Sequence, residues 1–317
     1  MAKSLLALCL LAIAPAFAQD YPAKPLRMVV GFPPGGGTDV VARIIAPGLS
    51  ARLGQPVVIE NRPGATGTAA AGLVARSPAD GYTLMMGHVS VNAIAPSLFA
   101  NLPYDVAKDF APIALAASVP HFVVVHPSIA VTSLGELIAY CKSHRLTFPS
   151  AGNGSMPHLA GEMFKSLAGV ELVHVPYKGS GQSMQDLLGG QHLVAFDTMP
   201  ASAPHVRSGK LRALAVSSAS RLPAFPEIPT AAEAGLPGYR VTTWYGVFAP
   251  AGTAAPVVNR LHADIVKTMQ APETRTKLEG IGADGTVSRS PEEFAALVRA
   301  DTARYAKIVK DIGLRID

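Results

Sequence analysis

The sequence predicts an α/β protein, and three observations carry that reading. Short β-rich runs alternate with stretches of helical period along most of the chain, the pattern of a largely parallel sheet covered by helices on both faces. Hydrophobic residues make up 49% of the 317, enough for a sizeable core and about two domains. Three of the turns that lead from a strand into a helix are rich in glycine, which lets a backbone approach a ligand closely.

Leu26 to Phe32 reads as a buried strand, broken by Pro33-Pro34-Gly35-Gly36-Gly37, and Thr38 then caps a helix running to about Leu53. Val57 to Glu60 is a second strand, Asn61 to Gly67 a loop, and Thr68 to Arg76 an Ala-rich helix. The turn Pro78-Ala79-Asp80-Gly81 enters a third strand, Tyr82 to Met86. Further strands are expected at Phe122–Val125, Leu146–Pro149, Leu172–Val175, Leu193–Phe196 and Leu211–Val216. Helices are expected between them at Leu134–Ser143, Met156–Ala168, Ser180–Leu188 and Ala201–Ser208. After Gly238 the pattern changes: Tyr239 to Phe248 is a longer strand-like run holding the only tryptophan, Trp244. Helices follow at Ala255–Met269, Pro272–Glu279 and Pro291–Lys310, the last with Phe294, Leu297, Val298, Tyr305, Ile308 and Val309 on one face.

The first residues set the compartment. Lys3, the apolar run Leu5 to Ala14, and the small-x-small site Ala16-Phe17-Ala18 have the order of a secretory signal peptide, residues 1–18, cleaved after Ala18. The apolar run is too short to span a bilayer, and Leu8 before Cys9 is too large for a lipoprotein signal. Such a leader implies a periplasmic protein. The mature chain keeps one cysteine, Cys141, so it folds without an internal disulfide and rests on its apolar core. Its net charge is +5, or +4 once Lys3 leaves, with basic residues scattered singly, so no nucleic-acid partner is expected.

The three glycine-rich turns are Phe32–Asp39, Arg62–Thr68 and Ser150–His158. Unpaired N–H groups at a helix start carry partial positive charge and bind anions without any lysine or arginine. In open α/β sheets, ligands gather beyond the carboxyl ends of strands, where these turns should lie. Asp39 has a structural role open to it as well, supporting the dipole of its own helix. Arg43 lies four residues beyond Asp39, the spacing of an intrahelical ion pair rather than of a ligand contact. The sequence therefore predicts that Gly36→Val weakens anion binding more than Arg43→Ala does.

Catalytic readings fail on spacing. Neither Gly35/Gly37 nor Gly152/Gly154 is followed by the third glycine of a dinucleotide fingerprint, and no Gly-Lys-Ser/Thr follows a glycine loop. Ser155 lacks the flanking glycines of a nucleophile elbow and reads as a helix N-cap, with Pro157 in the first turn. A hydrolase using Ser155 and His158, with Asp197 as third member, is the alternative function. The nine histidines show no H-x-x-x-H pair, and His121 and His126 fall on opposite faces of a strand, so no metal and no cofactor is expected. Cys141, near His144, reads as a half-buried helical residue.

Several strings resemble those of the Bug family, the substrate-binding components of tripartite tricarboxylate transporters. The opening string is Val29-Val30-Gly31-Phe32-Pro33-Pro34-Gly35-Gly36-Gly37-Thr38-Asp39-Val40-Val41-Ala42-Arg43. Glu60-Asn61-Arg62-Pro63-Gly64-Ala65-Thr66-Gly67, Asp80-Gly81-Tyr82-Thr83-Leu84 and Asp109-Phe110-Ala111-Pro112-Ile113 follow in order. His174-Val175-Pro176-Tyr177-Lys178-Gly179, Pro229-Thr230-Ala231-Ala232-Glu233-Ala234-Gly235 and Ala249-Pro250-Ala251-Gly252-Thr253 complete a resemblance running from about Tyr21 to the C-terminus.

The resemblance implies a two-lobe periplasmic-binding-protein fold of type II-like form, with two crossing strands and a ligand cleft between the lobes. It places the crossings near His121–Val125 and Val241–Phe248, with lobe 1 at 19–120 plus 244–317 and lobe 2 at 121–243. It implies a non-enzymatic, monomeric receptor for a small carboxylate: a di- or tricarboxylate, an aromatic acid or an acidic amino acid. Its partners would be transporter membrane subunits or a sensor protein. By motif, Phe32, Gly35, Gly36, Gly37, Thr38 and Asp39, joined by Ser90, line one side of the cleft. Gly152, Asn153, Gly154, Ser155, His158, Tyr177, Lys178, Gly179 and Asp197 face them. His88 stands outside the shared motif, and Asp197 either meets a ligand amine or bonds a neighbouring loop.

Overall fold

The computed structural model describes residues 21–314 and residue 316, so the expected leader lies outside the described residues. The first half runs β1 (Leu26–Val30), α1 (Gly37–Leu53), β2 (Val57–Asn61), α2 (Thr68–Ala75), β3 (Thr83–His88), α3 (Ala95–Leu98) and β4 (Phe110–Val125). Then come α4 (Leu134–Ser143), β5 (Leu146–Ser150), α5 (Met156–Ala168), β6 (Leu172–Pro176), α6 (Ser180–Leu188), β7 (Val194–Thr198), α7 (Met199–Arg207) and β8 (Arg212–Val216). The chain returns through β9 (Thr242–Pro250) to α8 (Ala255–Gln270), α9 (Pro272–Gly280) and α10 (Pro291–Asp311).

The expected parallel sheet is in fact mixed. β1 pairs in parallel with β2 and β3, and β5 with β6, but β9 lies antiparallel to both β3 and β4, and β4 antiparallel to β7 and β8. The cause is β4, whose 16 residues serve two sheet regions. Up to Pro120 it pairs with β9, and from His121 it pairs with β7. Proline has no N–H to give a ladder, so Pro120 suits the point where partners change. The sequence reading saw only the Phe122–Val125 end of this strand. Pro112 and the alanines before Val119 hide the rest, and Pro112 marks a register shift.

Both faces of the β1–β3–β9 region are covered. Met28, Val30, Leu84, Met86 and Val247 pack with Val41, Ile45 and Ile265 of α1 and α8. The alternate residues Val29, Met85, Trp244 and Phe248 pack with Ala70, Val74, Phe294 and Val298 of α2 and α10. This explains why the strands read as continuous apolar runs rather than alternating ones. In α10, Phe294, Val298, Tyr305 and Val309 are buried on the expected face. Trp244 Nε1 donates to the Asp301 carboxylate at 2.7 Å, tying β9 to that helix.

Two local expectations change. Gly36, not Thr38, is the N-cap of α1, and no side chain caps it; Thr38 sits inside the first turn. The segment Ser90–Ile94, unassigned from sequence, is a π-helical turn leading into α3.

Candidate functional site

Four helices begin at one small cavity of about 20 Å³. α1 contributes Gly36, Gly37 and Thr38; α5 contributes Ser155 and Pro157; α6 contributes Ser180; α7 contributes its N-cap Thr198. Phe32, His88, Ala151 and Tyr245 complete the wall, and no lysine or arginine among the described residues lines it. The first intrahelical bond of α1 runs from the Val40 amide to Gly36 O at 3.0 Å, so the amides before it precede the helical ladder. Each helix start carries roughly half a positive charge. The helix starts therefore supply partial positive charge without a formal cation among the described residues, partly offset by the Asp39 and Asp197 carboxylates behind them.

Outward from this cavity lies a larger one of about 710 Å³, lined by Phe32, Pro33, Thr66, Gly152, Asn153, Tyr177 and Lys178 among others. The inner space has room for little more than one water, because the two sides touch. Thr66 Oγ1 donates to Asn153 O at 2.8 Å, and the Met156 amide donates to Ser90 Oγ at 2.7 Å. A cavity of about 730 Å³ between Phe99, Tyr104 and α10 is the largest of the three, but none of the glycine-rich turns opens onto it.

The structure brings Phe32, Gly36, Gly37, Thr38 and Ser155 to the inner cavity, and Gly152, Asn153, Tyr177 and Lys178 to the outer one. Gly35 lies on a shallow outer pocket beside Ser180 and Gly181, and Gly179 packs against Pro33. Ser90 reaches across to the first amide of α5 instead of lining the cavity. Gly154 packs against Leu98, Phe99 and Ile316.

Asp39, His158 and Asp197 stand behind the wall. Asp39 accepts from the Gly35 amide (3.0 Å), Arg43 Nε (2.9 Å) and Asn61 Nδ2 (2.9 Å), which fixes the glycine turn. Burial alone would raise this carboxyl, but those donors hold it below its ordinary value. His158 Nδ1 accepts from the Gly154 amide at 3.1 Å, and its ring stacks on His174 at 3.6 Å between centroids. Burial pulls His158 down to about 4 and His174 to about 3, so both rings are neutral. Asp197 Oδ1 accepts from the Thr198 amide (2.6 Å) and the Ser180 hydroxyl (3.1 Å), and burial pushes its carboxyl up to about 6.

These bonds bear on the hydrolase alternative. Ser155 Oγ accepts the backbone N–H of His158 at 3.4 Å, as an N-cap does, while the His158 ring is engaged by Gly154. Asp197 serves Ser180 and Thr198, so the three side chains form no relay. Among the described residues, no three His, Cys, Asp or Glu side chains converge to hold a metal ion.

The sequence reading left out Ala151, Pro157, Ser180, Thr198 and Tyr245 as wall residues and assigned nothing to His88. Tyr245 and Thr198 come from strands far apart in the chain, and only the topology joins them. Buried Tyr245 shows no hydrogen-bond partner for its hydroxyl among the described residues, although Thr198 lies beside it.

The sequence pattern of the tripartite tricarboxylate transporter family receptor matches residues 41–314. Protein BugT of Bordetella pertussis is 39% identical over 308 residues, covering 96% of this chain and 94% of that protein. Among solved structures, Rpa4515 of R. palustris with adipate superposes with a TM-score of 0.91 at 39% identity, covering 93% of this chain and 99% of that one. MatC from Rhodopseudomonas palustris with bound malate has a TM-score of 0.85 at 35% identity, covering 91% and 100%. A periplasmic transporter structure has a TM-score of 0.90 at 38% identity, covering 94% and 100%.

Proposed function

Because this chain belongs to the tripartite tricarboxylate transporter receptor family, we propose that it captures one small carboxylate per molecule in the cleft at the four helix starts. The family is one of periplasmic receptors that bind solutes without transforming them, and the fold is its two-lobe α/β architecture. One observation carries the ligand class: α1, α5, α6 and α7 all begin at a cavity lined by no cationic side chain among the described residues. That arrangement attracts an anion and leaves it a set of neutral donors. The adipate and malate in two related structures agree with it.

On this reading residues 21–120 and 242–314 form one lobe and residues 121–241 the other. The partner change of β4 at Pro120–His121 supports the first boundary, and the pairing of Thr242 with Pro120 supports the return. The second boundary falls two residues before the one expected from sequence. The carboxylate would pass to the membrane subunits of a tripartite transporter or to a sensor. A thermal-shift screen over carboxylates, followed by calorimetry and mass spectrometry of the recovered ligand, tests the reading. One-to-one binding with the ligand returned intact is expected; a hydrolysed or rearranged product overturns it.

A further inference from the structure

Two side chains of the inner cavity have hydrogen-bonding capacity that the fold leaves unused. The Ser90 amide donates to His88 Nδ1 at 3.0 Å, so that ring nitrogen acts as an acceptor. The ring is buried and held neutral, with burial pulling its pKa to about 3 and His121 adding to the effect. A neutral imidazole whose Nδ1 accepts carries its one proton on Nε2. Nε2 meets no hydrogen-bond partner among the described residues, and the ring lines the cavity. Tyr245 sits edge-on to the same ring at 5.3 Å, itself fully buried; Thr198 lies beside its hydroxyl, which makes no hydrogen bond of good geometry among the described residues.

A buried hydroxyl without a well-placed partner, such as that of Tyr245, is costly, and a water or ligand in the cavity would offset the cost. Phe32 also packs edge-on against His88 at 5.3 Å, so two aromatic rings contact the imidazole. We propose that His88 Nε2–H and Tyr245 Oη–H form a neutral two-donor hook that receives an acceptor group of the ligand, one end of the carboxylate, and so selects what enters the cavity. The hook rests on the carboxylate reading above. His88 Nε2–H can only donate, so an ammonium group in that position would meet a donor and be refused.

The test pairs binding with the stability of the ligand-free protein. The probe is whichever of malate, adipate, citrate and glutamate raises the wild-type melting temperature most. Tyr245→Phe removes only the hydroxyl; it should weaken binding of the probe roughly tenfold or more while leaving the ligand-free melting temperature unchanged or raised. His88→Asn keeps an acceptor two residues before the Ser90 amide and loses the ring, whereas His88→Phe keeps the ring and loses the acceptor. Both lose the Nε2 donor, so both should weaken binding by a similar factor despite different effects on melting. Wild-type binding with unchanged affinity in Tyr245→Phe and in either His88 variant overturns the hook and leaves the carboxylate reading standing. A lowered ligand-free melting temperature in Tyr245→Phe shows the hydroxyl to be structural and also overturns it. Failure of the wild type to bind any of the four probes overturns the carboxylate reading and the hook together.

Discussion

Gly37 is the position at which the smallest possible change should do most. A methyl group there would lie 2.3 Å from Tyr245 Oη, 3.1 Å from Thr198 Oγ1 and 3.4 Å from Tyr245 Cζ. Ordinary contact begins near the last of these distances, so the hydroxyl must retreat by about 1 Å from a fully packed site. Overpacking of this kind costs about 1–3 kcal/mol, reduced by whatever helix propensity alanine adds in the first turn. Gly37→Ala should therefore melt roughly 2–5 °C lower than wild type by calorimetry. At Gly36 the same methyl meets only the Pro33 carbonyl, at 3.7 Å, so Gly36→Ala should leave the ligand-free melting temperature unchanged. The decisive variant is the double one. Tyr245→Phe removes the atom at 2.3 Å, so Gly37→Ala should cost about 1–2 kcal/mol less in that background. Additive effects would refute the close approach of Gly37 to Tyr245 and with it this account of the inner cavity.

Other expectations follow from the same contacts. Arg43 is half exposed, and Asp39 keeps its Gly35 and Asn61 donors without it, so Arg43→Ala should change ligand affinity less than about threefold by calorimetry. Asp39→Ala strips three donors of their acceptor and should cost about 1–3 kcal/mol in urea unfolding. Thr66→Ala and Ser90→Ala each remove a bond across the cleft; each should weaken binding roughly five- to tenfold and enlarge the ligand-free protein in small-angle scattering. Buried His88, His121, His158 and His174 have pKa values lowered to between about 3 and about 4, below the unfolded value of about 6.5. The stability they contribute is present above pH of about 6.5 and lost as pH falls towards about 4. Asp197 is raised to about 6, so its contribution is present at low pH and lost as pH rises through that value; Asp197→Asn should therefore steepen the rise in melting temperature between pH of about 4 and 6.5.

How far the sequence could be read depended on whether its signals were local. α4, α5 and α6 were placed to the residue because Ser133 and Ser155 announce starts and Gly169 and Gly189 announce stops. The Asp39–Arg43 pair was legible from its spacing and stands as an ion pair of 2.9 Å. The first half of β4 was not legible, since Pro112, Pro120 and several alanines carry no strand signal and only pairing with β9 makes them one. The cleft divides the same way. The Gly35–Thr38 turn declares itself, whereas Ser180, Thr198 and Tyr245 look like any capping or core residues until the strands bring them together. His88 broke the motif, and that departure was the one local hint that the wall differs here.

The four helix starts also explain why ligand and closure belong together on the proposed reading. α1 stands on one side of the cleft, and α5, α6 and α7 on the other. Their positive ends repel one another when the sides meet, and each is strongest within its first turn. The Asp39 and Asp197 carboxylates offset part of that repulsion from behind the wall, and the direct bonds between Thr66 and Asn153 and between Ser90 and Met156 oppose it without placing negative charge between the two sides. A carboxylate does both: it accepts from donors on each side, and it turns mutual repulsion into shared attraction. An ammonium group would add to the repulsion, and a neutral ligand would leave it in place. An anion that accepts from both sides binds the closed state more tightly than the open one, and that difference in affinity is what shifts the population towards closure. A salt bridge from one lobe would hold the anion equally well with the cleft open. Donors divided between two lobes cannot, so charge selection and closure become one event.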